Sequence, residues 1–145
     1  MPEEKREEAA YVHDIHGHMI PYVRIDPDIC DNALKVEDHT NVFPEGQEFA
    51  AVAWSVRGIT HESMHVWKNE HNESITDCYA VQRVGAMTLA LGASQEVADQ
   101  ITSRVVILQP QLVTREYQVP GACHDGGTLD LDPAMQTAFP VPIPK

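Results

Sequence analysis

FAAVAWSVRGITHESMHVW, residues 49–67, is the stretch that decides how this chain folds. Phe49, Val52, Ala53, Val56, Thr60, Met64 and Trp67 recur at steps of three and four, the period of a helix with one buried face. The pattern predicts a helix of about twenty residues, longer than the usual 11–12 and able to cross the middle of a small domain. Gly58 interrupts it at a cost of about 1 kcal/mol against alanine, which predicts that another backbone packs closely there.

Working outward, Met19-Ile20-Pro21-Tyr22-Val23-Arg24-Ile25 reads as a strand that Pro21 confines to a sheet edge. Asp26-Pro27-Asp28 marks a turn, with a short helix expected over residues 29–36, while residues 3–10 read as a short helix or a frayed arm. Downstream, Lys68-Asn69-Glu70-His71 is a tight connector. Asn72 is a helix N-cap, Glu73 suits the first turn, and the helix runs to Leu91 before Gly92 stops it. Ser94 caps a further helix carrying Val97, Ile101, Val105 and Leu108, ended or kinked by Pro110. Beyond Tyr117, Pro120-Gly121, Gly126-Gly127 and the later prolines describe an extended tail lying over the helices. The expected class is mainly α (α+β, with a small or vestigial sheet): a long helix packed on a second one, with a Pro/Gly-rich C-terminal tail.

The 145 residues suit a single domain over 1–145. Ten Lys+Arg against 22 Asp+Glu give a net charge of −12, which opposes phosphate backbones and anionic lipid and so argues against nucleic acid or membrane as a partner. The opening Met1-Pro2-Glu3-Glu4-Lys5-Arg6 has no apolar run behind a basic start, so the expectation is a soluble, cytoplasmic chain as synthesised. Cys30, Cys78 and Cys123 form no Cys-x-x-Cys pair. They read first as buried small hydrophobes, with a Cys30–Cys123 or Cys30–Cys78 bridge as the alternatives.

Chemistry is concentrated at His61-Glu62-Ser63-Met64-His65. Residues four apart on a helix differ by about 40° in azimuth and one turn in height, so both imidazoles can reach one zinc ion at about 2.0–2.1 Å. Glu62 lies about 100° round from His61, beside the metal, where a carboxylate can act as general base towards a metal-activated water. A catalytic zinc needs a third protein ligand and one open position. Glu73, opening the next helix, leads for that role, and Asp77 one turn later can accept a hydrogen bond from a ligand imidazole. His71 is the rival. It stands at the spacing of H-E-x-x-H-x-x-G-x-x-H, but Lys68 occupies the position where that pattern needs glycine.

Thr60-His61-Glu62-Ser63-Met64-His65, followed by Asn72-Glu73-Ser74-Ile75-Thr76-Asp77-Cys78-Tyr79-Ala80-Val81-Gln82, resembles a zincin metallopeptidase of the glutamate-ligand (gluzincin) type. It is most similar to short metallopeptidase-type chains of bacteria and their phages, which also carry segments like residues 23–30 and 123–131. The resemblance implies His61, His65 and Glu73 as Zn2+ ligands, Glu62 as general base, Asp77 as the acid behind the ligands, and hydrolysis of a peptide bond in a peptide or protein substrate. Thermolysin-like enzymes have a longer segment between the histidine pair and the glutamate and a substantial sheet, so a shallow cleft is implied here.

A second reading is a structural or binding module in which zinc staples the domain and no substrate is turned over, as in a phage particle or another assembly with a protein partner. A third is hydrolysis of a non-peptide amide. Tyr117 and His124 are candidate donors to a reaction oxyanion, His13-x-x-His16-x-His18 reads as a solvated loop before it reads as a second metal site, and Trp54 and Trp67 read as core or cleft wall.

Overall fold

The computed structural model describes residues 10–13, 16, 19–37 and 41–134. Two strands, β1 (Ala10–His13) and β2 (Met19–Ile25), are followed by four helices: α1 (Pro27–Leu34), α2 (Gln47–Lys68), α3 (Glu73–Ala90) and α4 (Gln95–Leu112). A single 3-10 turn, Arg115–Tyr117, leads into the tail. The expected mainly helical class, with a long helix packed on a second and a vestigial sheet, is the one observed. No helix among the described residues is long and apolar enough to cross a membrane.

β2 spans the residues its sequence predicts, and its partner β1 pairs with it antiparallel, Ala10 opposite Ile25 and Tyr11 opposite Arg24. The register slips between Tyr11 and His13, opposite the part of β2 that holds Pro21, which has no N–H to give a ladder. Ala10 is therefore strand rather than arm, while residues 3–9 lie outside the described residues. α1 starts two residues earlier than its periodicity suggests. Asp26 caps it by accepting from the Asp28 N–H at 2.9 Å, and Pro27, with φ already helical, takes the first position.

α2 buries Phe49, Val52, Ala53 and Val56 against α1, α3 and α4, in one cluster with Val84, Ile101 and Val105. Trp67 departs from its predicted place on the buried face: it is 60% exposed. Its ring lies along the helix end beside Lys68 and Arg83 instead. Gly58 also departs from expectation. A Cβ there would meet only the Ile29 side chain at 3.8 Å, ordinary van der Waals contact, so no close backbone explains it. α2 ends at Asn69 in the left-handed conformation (φ 49, ψ 43), which turns the chain into α3. Asn72 caps α3 through Ile75 N–H at 3.0 Å, Gly92 follows α3 with φ 97, and Ser94 caps α4 through Val97 N–H at 3.3 Å. α4 passes through Pro110 for two more residues before stopping.

The tail lies along one stripe of α3, at residues spaced one turn apart. Ser74 Oγ donates to the Gln118 carbonyl (2.6 Å), Cys78 is disulfide-bonded to Cys123, and the Gln82 side chain donates to Leu129 O and accepts from Leu131 N–H, each at 2.9 Å. Arg83 adds an ion pair to Asp132 at 2.6 Å. The Cys78–Cys123 bridge corrects the cysteine reading: Cys30 is the free thiol, and neither bridge involving it forms. Proximity decides this pairing, because the tail returns over α3, which no spacing rule for cysteines foretells. A disulfide of this kind persists in oxidising surroundings and is kept reduced in a thiol-rich cytosol. Within the tail, Gly127 passes so close to the Ala122 carbonyl that a Cβ would fall 2.2 Å from its oxygen, and only glycine fits.

Candidate metal centre

The last two turns of α2 and the first turn of α3 meet across the Asn69 turn. His61 and His65, one turn apart, point at α3 and are each 2% exposed. Glu73, the first residue of α3, reaches back between them, since a tight connector forces the second helix to start beside the end of the first. His61 Nε2 lies 2.8 Å from Glu73 Oε2, His65 Nε2 lies 3.2 Å from the same oxygen, and the two Nε2 atoms are 3.1 Å apart. Three ligands of a tetrahedral ion at 2.0–2.1 Å stand about 3.3 Å from one another, so this triangle is the size such an ion requires, slightly closed up. Among the described residues this is the only group of three or more such donors able to hold a metal ion.

The outer ring nitrogens say what the inner ones must do. His61 Nδ1 lies 3.0 Å from Asp77 Oδ1, and His65 Nδ1 donates to the Glu70 backbone carbonyl at 2.6 Å. Both partners are acceptors, so each Nδ1 carries the proton and a neutral ring turns its Nε2 lone pair inward. Two inward lone pairs and a carboxylate oxygen packed within about 3 Å repel one another unless positive charge sits among them. Either extra protons or one cation satisfies that arrangement, and two imidazoles with a carboxylate are a donor set that divalent transition metals prefer.

The electrostatics agree. Burial, the strongest influence on His61, works to lower its pKa, but hydrogen bonds to Asp77 and Glu73 and the charge of Asp77 outweigh it and raise the pKa above 6.5, against opposition from Arg57. His65 is likewise raised: burial is overcome by the Glu73 hydrogen bond and the Glu70 carbonyl. Glu73 would be raised by burial, yet hydrogen bonds from both histidines push it down to about 2. The pocket is built to hold positive charge.

Of the residues singled out from sequence, His61, His65 and Glu73 converge and Asp77 stands behind His61. Glu62 lies on α2 next to His61, half-buried and outside the donor group. His71 is exposed in the connector and also outside the group: the left-handed turn falls at Asn69, one residue later than the ten-residue His-to-His spacing needs. The Tyr117 ring lies against His61, centroids 5.5 Å apart. His124 is exposed, its Nδ1 donating to its neighbour's carbonyl, that of Asp125. His16 is exposed, whereas His18 and the side chain of His13 lie outside the described residues.

Two residues with no assigned role also reach the centre. Arg57, one turn before His61, brings Nη2 to 2.5 Å from Asp77 Oδ1 as an ion pair, without the angle of a directed hydrogen bond. Gln109 of α4 donates from Nε2 to Asp77 Oδ2 at 2.7 Å and to the Tyr117 carbonyl at 2.9 Å. Its Oε1 is buried without a partner, a penalty of about 1–3 kcal/mol that the fold tolerates for those two bonds. Each could have been noticed as a polar residue on a buried stripe: Arg57 continues His65 and His61 backwards by four, and Gln109 continues Val97, Ile101 and Val105 forwards by four.

No family model, curated protein or solved structure matches the chain.

Proposed function

We propose that this chain is a zinc-dependent hydrolase of peptide bonds, built on His61, His65 and Glu73 as metal ligands and Glu62 as general base. The observation that carries the reading is the convergence of two Nε2 atoms and one carboxylate oxygen, none more than 3.2 Å from another, with both Nδ1 atoms already committed to acceptors. A zinc ion held by these residues would supply a Lewis acid, able to polarise a substrate carbonyl and to lower the pKa of water towards neutrality.

The chain's own residues supply the rest. Glu62 stands about 100° round the helix from His61, half-buried and outside the donor group. There it takes the proton from the attacking water and passes it to the departing amine. Asp77 and the Glu70 carbonyl lock the two imidazoles in the tautomer that presents Nε2 inward. Three protein donors, with no fourth in the group among the described residues, favour a working zinc site over one that only staples the fold.

The test is Glu62→Gln. The variant is expected to bind zinc like the parent and to lose cleavage of unfolded protein and of mixed fluorogenic peptides by at least about a hundredfold, the usual contribution of a general base. A variant that cleaves as fast as the parent refutes the assignment.

A further inference from the structure

The side chains that hold the metal donors are themselves held from behind. Asp77 is completely buried, and its two oxygens receive three groups from two other helices. Oδ1 takes His61 Nδ1 at 3.0 Å and lies 2.5 Å from Arg57 Nη2; Oδ2 accepts from Gln109 Nε2 at 2.7 Å. Arg57 is 9% exposed, with its guanidinium 4.6 Å from the Trp54 ring centroid and 5.6 Å from that of Tyr117. Gln109 is fully buried on α4 and is outside the donor group.

We propose that Arg57 and Gln109 are positioning residues of the metal centre: they clamp the Asp77 carboxylate so that its Oδ1 holds His61 with Nε2 turned to the ion. The inference rests on the metal-site reading above and extends it to two residues whose side chains bond Asp77 rather than the donors. A carboxylate at zero exposure needs a counter-charge and filled lone pairs to stay in place. Arg57 supplies the charge, and Gln109 fixes the second oxygen, which stops the carboxylate from rotating off His61. Outer contacts of this kind are worth about 10–100-fold in metal affinity.

Two effects of Arg57 oppose each other, and their sign can be measured. Directly, the guanidinium charge disfavours positive charge at His61. Acting through Asp77, it secures the acceptor that makes His61 a better ligand. If the direct field governed, removing Arg57 would tighten metal binding. The clamp requires that it loosen.

Affinity for Zn2+ and Co2+, measured by competition with a chelating indicator, decides this on the full chain. Parallel denaturation curves of the metal-free proteins report folding. Arg57→Met is expected to bind about 10–100-fold more weakly and to shift the Co2+ ligand-field bands, while Arg57→Lys, which keeps the charge, recovers part of the loss. Gln109→Met, which leaves the ion pair in place, is expected to lose about tenfold and carries the test alone if Arg57→Met does not fold. In an Asp77→Asn background the Arg57→Met change is expected to cost less than about threefold, since its route to the metal is gone. Unchanged or tighter binding by Arg57→Met or Gln109→Met, or an undiminished Arg57→Met effect in the Asp77→Asn background, overturns the clamp. A parent that binds no metal overturns the metal-site reading and the clamp with it, and the parent measurement alone distinguishes the two failures.

Discussion

Breaking the Cys78–Cys123 bond is expected to destabilise the metal-free protein by about 2–4 kcal/mol while leaving its metal site in place. The bridge joins residues 45 apart, and closing a loop of that length removes about 4 kcal/mol of unfolded-state entropy in the chain-entropy account. The native tail also keeps other anchors, Ser74 to Gln118, Gln82 to Leu129 and Leu131, and Arg83 to Asp132, so the reduced tail stays docked and the folded state loses little. Cys78 is fully buried one residue after Asp77, so Cys78→Ala/Cys123→Ala, which adds no polar group there, is the gentlest double variant. Urea denaturation of parent and double variant, compared at equal slope, measures the difference. All three donors lie outside the tail, so the folded double variant is expected to keep zinc affinity within about tenfold. A stability change below about 0.5 kcal/mol would refute the reasoning that the tail is stapled to α3 by this bond.

Exchanging the rival ligands separates them: Glu73→Ala is expected to abolish tight zinc binding and His71→Ala to leave it within about twofold, as read by the same indicator competition. Gly58→Ala should stabilise α2 by about 0.5–1 kcal/mol in urea titrations, because the added methyl meets only Ile29 at 3.8 Å; destabilisation would restore the close-packing explanation. Ile101→Ala, in the centre of the α2–α3–α4 core, should cost about 2–5 kcal/mol by the same measurement. The pH dependence of the metal-free protein follows from its donors. The raised pKa values of His61 and His65 give stability that is full below about pH 6.5 and fades as pH climbs through them, whereas the lowered Glu73 gives stability that is full above about pH 4.5 and fades towards pH 2. Urea midpoints without metal should therefore decline from about pH 6 to pH 8, while added zinc, which competes with protons for the same nitrogens, stabilises more as pH rises; a metal-free midpoint that rises over that interval contradicts the charge assignment.

What could be read from sequence was whatever has a local cause. The period of residues 49–67 fixes α2, Asn72 and Ser94 mark the starts of α3 and α4, and the conflict between Lys68 and the glycine-dependent spacing sets His71 behind Glu73. What could not be read depends on contacts between distant segments. Cys123 meets Cys78 only because the tail returns over α3, and β1 forms only because β2 is there to pair with it. Trp67 fits the buried period by number, yet α2 outruns the core at its last turn, so the position falls in solvent. Arg57 and Gln109 stand in the right stripes, but their meeting at Asp77 belongs to the packing of α2, α3 and α4.

In the proposed metal centre, two imidazoles and one carboxylate share one divalent ion with a position left for solvent. X-ray absorption at the zinc edge of the zinc-loaded protein tests it most directly. One zinc per chain is expected, surrounded by two imidazole nitrogens and two oxygens, one from Glu73 and one exchangeable, at about 2.0–2.1 Å. A sulfur ligand, a third imidazole, or a protein that takes up no zinc would contradict it.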